Sequence, residues 1–164
     1  MIERLAIFMR VTMTDEPRML VPLSRELEMV QAYLQIEHVR LGDRLHVAYD
    51  LDDAASAMLV PSLLLQPLVE NAVKHAVAPS LTGAIITIRA HAREGDLLLV
   101  VEDRLSSPRR FPPVPGTGVG LQNVAARLTA QFGDRATLST DCHDDGFTAT
   151  IRLPAQSAAN DTWR

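Results

Sequence analysis

Val60-Pro61-Ser62-Leu63-Leu64-Leu65-Gln66-Pro67-Leu68-Val69-Glu70-Asn71-Ala72-Val73-Lys74-His75 puts an acid, an amide and a base on one side of an otherwise apolar helix. At about 3.6 residues per turn, Glu70 stacks with Lys74 and Asn71 with His75, while Leu64, Leu65, Leu68, Ala72, Val73 and Ala76 cover a broad opposite face. Solubilising stripes are usually mixtures of Glu, Lys and Arg. An Asn between an acid and a lysine lowers helix propensity and adds an oxygen suited to a hard cation. The polar side is therefore read as a wall of a binding site. Pro67 lacks a backbone donor, so the helix either begins near it or kinks there after a start around Pro61.

Upstream, Ser24 is the expected N-cap of a helix over residues 25–41, with Glu26 and Glu28 in its first turns, Leu27, Val30, Leu34 and Leu41 as its apolar stripe, and Gly42 just beyond. Residues 2–12 have helical spacing in Leu5, Phe8 and Met9, broken by Asp15-Glu16-Pro17. Residues 45–51 alternate as a half-buried strand. Residues 84–92 and 97–102 read as two strands joined by Arg93-Glu94-Gly95-Asp96. Asp103 closes the second, so a carboxylate is expected where that strand leaves the core. Residues 106–116 are proline-rich and read as a mobile loop, and a helix follows from Gly118 to about Phe132, stopped by Gly133. Residues 136–140 and 147–153 form a closing hairpin around Asp144-Asp145-Gly146. Helices interleaved with mainly antiparallel strands predict an α/β two-layer sandwich, with helices on one face of a mixed sheet. The expected division is a helical segment over residues 1–41, a binding domain over 42–154 and a frayed tail over 155–164.

With 164 residues, 47% of them hydrophobic, the chain is long enough for one domain with a sizeable core. A formal net charge of -4 and the absence of a long Lys/Arg run argue against a nucleic-acid partner. The single cysteine, Cys142, forms no internal disulfide, and no Cys/His cluster has zinc-ligand spacing, so a reduced cytoplasmic protein is expected. Residues 1–13 are too short and too charged to span a bilayer or to act as a secretory segment, and no other membrane segment is visible.

The run from Gln66 to His75 resembles the N box of the GHKL (Bergerat) ATP-binding fold, in the form found in LytS-type sensor histidine kinases. Gly116-Thr117-Gly118-Val119-Gly120-Leu121-Gln122-Asn123-Val124-Ala125-Ala126-Arg127-Leu128 resembles the family's second glycine box and its following helix. Val21-Pro22-Leu23-Ser24-Arg25-Glu26-Leu27, continuing through Tyr33-Leu34-Gln35-Ile36-Glu37 to Arg40, resembles the helix that leads into the catalytic domain. The resemblance implies ATP and Mg2+ as cofactors, with Glu70 and Asn71 as the catalytic and metal-holding pair. It further implies that Asp103 accepts a hydrogen bond from the adenine amino group, and that Gly116, Gly118, Gly120, Leu121 and Asn123 lie around the phosphates. Lys74 either meets a phosphate or pairs with Glu70, and His75 either contacts phosphate or simply sits near the helix end. Three glycines opening into a helix suit a phosphate cradle, because backbone N–H groups approach closely and the helix terminus favours negative charge.

Two local departures stand out. The family's first glycine box, Asp-x-Gly-x-Gly, is replaced by Asp103-Arg104-Leu105-Ser106-Ser107, where a positive φ would be costly for Leu105. The family's Gly-Thr near the end reads Gly146-Phe147, with Thr148, the expected second adenine-side residue, one place later. The family's phosphoacceptor histidine lies in a helix preceding Leu5, so a chain starting natively at Met1 is expected to phosphorylate a histidine-containing domain or serve a response regulator, as a monomer or weak dimer. The competing readings are a non-catalytic GHKL module that docks on a signalling partner, and a GHKL ATPase or serine kinase.

Overall fold

A computed structural model of the chain describes residues 19–107 and 118–157. The helix expected over residues 2–12, Gly116 with most of the proline-rich stretch before it, and the end of the tail lie outside these residues.

In chain order the elements are β1 (Leu20–Pro22), α1 (Leu23–Leu41), β2 (Leu45–Leu51), the single-turn α2 (Asp53–Ser56), β3 (Leu59–Pro61), α3 (Gln66–Ala72), β4 (Ala84–Arg93), β5 (Asp96–Leu105), α4 (Val119–Phe132), β6 (Thr137–His143) and β7 (Gly146–Pro154). Beyond Ala72, α3 widens into a π turn over Val73–Val77. The main sheet has five strands in the order β2-β4-β5-β7-β6, and β1 pairs separately with β3. Only β2 and β4 run parallel; the other neighbours in the main sheet are antiparallel. The parallel pair needs a crossover, and the chain makes it through α2, β3 and α3, which lays α3 across β4 and β5.

Strand alternation sorts the sheet into two faces. Ile86, Ile88, Leu97, Leu99, Ile151 and Leu153 point to the helical layer and are fully buried against Leu23 and Val30 of α1, Leu64 and Leu65 before α3, and Leu128 of α4. The other face is open to solvent and laced with ion pairs, Arg89 to Glu102 at 2.7 Å and Arg152 to Asp96 among them. Exposed pairs of this kind contribute at most about 1 kcal/mol each. The expected two-layer α/β sandwich, with helices on one face of a mixed, mainly antiparallel sheet, is what the chain forms. The β4–β5 turn falls where expected, with Glu94 at φ 51° and Gly95 at φ 86°, the backbone of a tight two-residue hairpin.

Local expectations are corrected in three places. Ser24 is not the N-cap: pairing of β1 with β3 carries extended backbone to Pro22, Leu23 N–H donates to Met58 O at 2.8 Å, and the helix starts one residue before Ser24. Asp103 does not close its strand. The ladder runs on through Arg104 and Leu105, whose N–H donates to Asp145 O at 2.6 Å, and Leu105 keeps extended backbone with no positive φ. The tail is tied down at its start, where Ala155 N–H donates to Gly95 O at 2.8 Å and Leu59 N–H donates to Gln156 O at 2.7 Å.

Candidate functional site

The helix that carries the polar side chains begins where the sequence allows it to. Pro67 occupies the first turn of α3, a position at which its missing N–H costs nothing. The chain reaches that turn through Leu63, which adopts a left-handed φ of 56°. For a bulky residue this is strained backbone, and a buried carboxylate holds it. Glu26 of α1, 1% exposed, accepts the backbone N–H groups of Leu63, Leu64 and Leu65 at 2.7, 2.8 and 3.0 Å. Burial pushes the Glu26 carboxyl above its ordinary value, and the three N–H donors and the Arg127 guanidinium pull it back only in part. Arg127 of α4 also donates to Ser62 O at 2.6 Å.

Glu70, Asn71, Lys74 and His75 line a cleft of about 170 Å³ together with Pro67. The opposite wall is Gly118, Val119, Gly120 and Leu121 at the start of α4. Gly118 caps this helix at φ 67° and brings no capping side chain, and the first turn of α4, whose leading N–H groups have no intrahelical partner, lines the cleft. Among the described residues, a Cβ at Gly120 would meet Pro67 at 3.8 Å, an ordinary contact across the cleft that both residues line. On the facing wall, Gln66 is 5% exposed and its Nε2 donates to Glu70 Oε1 at 2.8 Å, which fixes the carboxylate on its helix. Lys74 is exposed and has no ion pair with Glu70. Tyr33 of α1 lies near Glu70 and Glu37. Burial first, and then these two carboxylates, push its phenol well above the ordinary range, while Arg40 opposes them.

The expected site residues do not all gather. Glu70, Asn71, Lys74, His75, Gly118, Gly120 and Leu121 share the cleft. Asn123 sits further along α4, exposed and outside the lining. Asp103 is 4% exposed on the helix-facing side of β5, beside Ile86 and Phe147 in register, and also lies outside the lining. Thr148 lies on the other face of the sheet from Asp103. It stands opposite Glu102 on the open face, 3.5 Å from His143 Nε2, and Phe147 takes the position next to Asp103. Gly116 is outside the described residues. Sequence reasoning missed Glu26 and Arg127 as supports of the site. The available signal was an acid on the apolar stripe between Leu23 and Val30, a place where a carboxylate is retained only with partners.

Residues 60–157 match the family described as histidine kinase-, DNA gyrase B-, and HSP90-like ATPase, which covers the cleft and the whole sheet except β2. The chain belongs to this family. Residues 1–45 match the histidine kinase family, so the helix leading into the ATPase domain is also of the sensor-kinase kind. The sensor histidine kinase BtsS of Escherichia coli strain K12 is 34% identical over 160 residues, which are 97% of this chain and 28% of that protein. The sensor protein LytS of Staphylococcus haemolyticus is 30% identical over 168 residues, 96% of this chain and 29% of that protein. The chain thus spans less than a third of the length of these relatives. Among solved structures, the catalytic domain of histidine kinase ThkA superposes with a TM-score of 0.62 at 14% identity, over 85% of this chain and 97% of that one. The histidine kinase domain of the blue-light activated kinase from Erythrobacter litoralis does so with a TM-score of 0.60 at 21% identity, over 82% of this chain and 61% of that one. The ATPase domain described above is therefore the catalytic-domain fold of sensor histidine kinases.

Proposed function

We propose that this domain binds Mg-ATP in the cleft between α3 and the start of α4 and presents the γ-phosphate to a histidine of a phosphoacceptor domain in two-component signalling. The observation that carries the reading is the placement of Glu70 and Asn71 across one cleft from the N-terminal turn of α4. The donor set fits magnesium: two hard protein oxygens suffice for an ion that keeps several waters and phosphate ligands, and the described residues hold no larger His/Cys/Asp/Glu cluster. When bound, the ion neutralises phosphate charge. Glu70 and Asn71 hold it, and Gln66 keeps the Glu70 carboxylate turned toward its place. The N–H groups of Val119, Gly120 and Leu121 donate to phosphate oxygens, and Lys74 adds a point charge. Asp103 takes the adenine amino group, and Asn123 approaches the phosphates from the next turn of α4. Catalysis then rests on positioning and charge stabilisation. The exposed, unpaired Cys142 suits a reducing compartment, which agrees with a cytoplasmic domain, and no described helix is long and apolar enough to cross a membrane.

Calorimetric titration with a non-hydrolysable ATP analogue, with and without magnesium, tests this. Magnesium-dependent binding that disappears in Asn71→Ala is expected. Failure of the wild-type chain to bind at millimolar nucleotide would refute the kinase reading and leave the docking module in its place.

A further inference from the structure

Both walls of the cleft are anchored to one short segment that belongs to neither. Residues 62–65 connect β3 to α3, and they are gripped from two sides. From α1, the Glu26 carboxylate collects the Leu63, Leu64 and Leu65 N–H groups. From α4, the Arg127 guanidinium donates to Ser62 O. Leu63 is held at a left-handed φ that a free leucine avoids, so the segment keeps this shape only while its partners are in place. A carboxylate with two oxygens accepting three N–H bonds has little capacity left over. Its burial at 1% exposure also shuts out water as a substitute.

We propose that Glu26, together with Arg127, is a positioning residue that fixes the start of α3 against α4 and thereby sets the spacing between the Glu70–Asn71 wall and the glycine wall of the cleft. Neither side chain lines the cleft, so both act through backbone. The arrangement also ties α1, which lies within the residues that match the histidine kinase family, to the first turn of the helix that bears Glu70. A displacement of α1 is transmitted to α3 through hydrogen bonds that begin one residue beyond the turn at Ser62. The consequence for nucleotide rests on the function proposed above; the consequence for α3 does not.

Two readouts on the full chain separate these. The first is backbone amide exchange of the nucleotide-free protein in wild type, Glu26→Gln, Arg127→Ala and the exposed control Glu28→Gln. The side-chain amide introduced by Glu26→Gln brings an N–H donor against three N–H donors, so exchange of residues 63–72 is expected to quicken about tenfold or more while β4 and β5 keep wild-type protection. Arg127→Ala, at a partly exposed position, should move the same residues in the same direction, and Glu28→Gln should move none. The second readout is the dissociation constant for the magnesium–nucleotide analogue, expected to rise about tenfold in both gripping variants. Unchanged exchange across 63–72, or faster exchange spread over the whole sheet, overturns the proposal. So does a loosened α3 with an unchanged dissociation constant. If the wild-type chain binds no nucleotide, the proposed function fails and the exchange pattern alone decides on Glu26 and Arg127.

Discussion

Glu70 is useful as a ligand only if its carboxylate points one way, and Gln66 is the side chain that arranges this. A hydrogen bond to a charged group contributes about 1.5–3 kcal/mol, so Gln66→Ala is expected to weaken magnesium-dependent nucleotide binding about tenfold or more. Titration of that variant giving the wild-type constant would mean that Glu70 needs no orienting partner. Glu26 makes a second prediction, in pH. Its folded pKa lies above the ordinary 4.5, so over the interval between the two values the folded chain carries more bound proton than the unfolded one. The stability this group contributes is complete below about pH 4.5 and is lost as pH rises through the folded value. Melting curves of wild type and Glu26→Gln taken upward from pH 4.5 should therefore show the wild-type advantage shrinking; a constant gap would contradict the raised pKa. That Glu70 and Asn71 share the side of α3 turned away from the core was legible in the sequence, because helical spacing set them opposite the leucines. The face on which Thr148 lies follows from an equally simple rule. A one-residue offset in a strand exchanges its faces, so Phe147 stands beside Asp103 and Thr148, one place later, stands beside Glu102 on the open face.

Elements were legible in proportion to the length of their repeat. Alternation over β2, and apolar runs flanking a turn signal for β4, β5 and β7, marked strands close to those observed, whereas β1 and β3, of three residues each, and the single turn of α2 are too short to carry a period. The π turn over Val73–Val77 was invisible for another reason, since regular spacing was assumed through Lys74 and His75. Its i+5 closure, Ala78 N–H to Val73 O at 2.9 Å, is one residue wider than an α turn, and such bulges are frequent at functional sites. Arg44 fastens the far end by donating to Ser80 O at 3.0 Å. The largest departure from the sequence reading is the run-on of β5, and Gly146 explains it. A Cβ at Gly146 would overlap the Asp103 carbonyl oxygen, so only glycine lets β7 begin close enough to extend β5 past Asp103. Gly146→Ala is expected to destabilise the fold by about 1–3 kcal/mol, the usual cost of overpacking, read as a lower urea midpoint. An unshifted midpoint would show that the two strands can part there without loss. Strand pairing thus takes the place that the first glycine box would give to a turn, and Leu105 is spared the strain expected of it.

At the scale of the molecule, the cleft is a seam between two parts of one core. Its acidic wall, α3, packs over β4 and β5, and its glycine wall, α4, packs against β6 and β7. The walls meet through residues 62–65 and the central strands, so a ligand that contacts both is linked to the folding of the whole domain rather than to one loop. A ligand that binds only the folded state stabilises it by about 2.7 kcal/mol at a hundredfold excess over its dissociation constant. For a chain of 164 residues each kcal/mol moves the melting midpoint by about 2–4 °C, so saturating magnesium–nucleotide should raise Tm by about 5–11 °C. The rise is expected to depend on magnesium, because the Glu70 carboxylate repels a polyphosphate unless a cation lies between them, and the Asn71 amide oxygen is the second hard ligand such a cation would find on this wall. Asn71→Ala should abolish most of the rise while leaving the nucleotide-free Tm nearly unchanged, since Asn71 is only partly buried and faces the cleft. An equal rise with and without magnesium would take Glu70 and Asn71 out of the binding and leave the anion to the helix terminus of α4 and to Lys74.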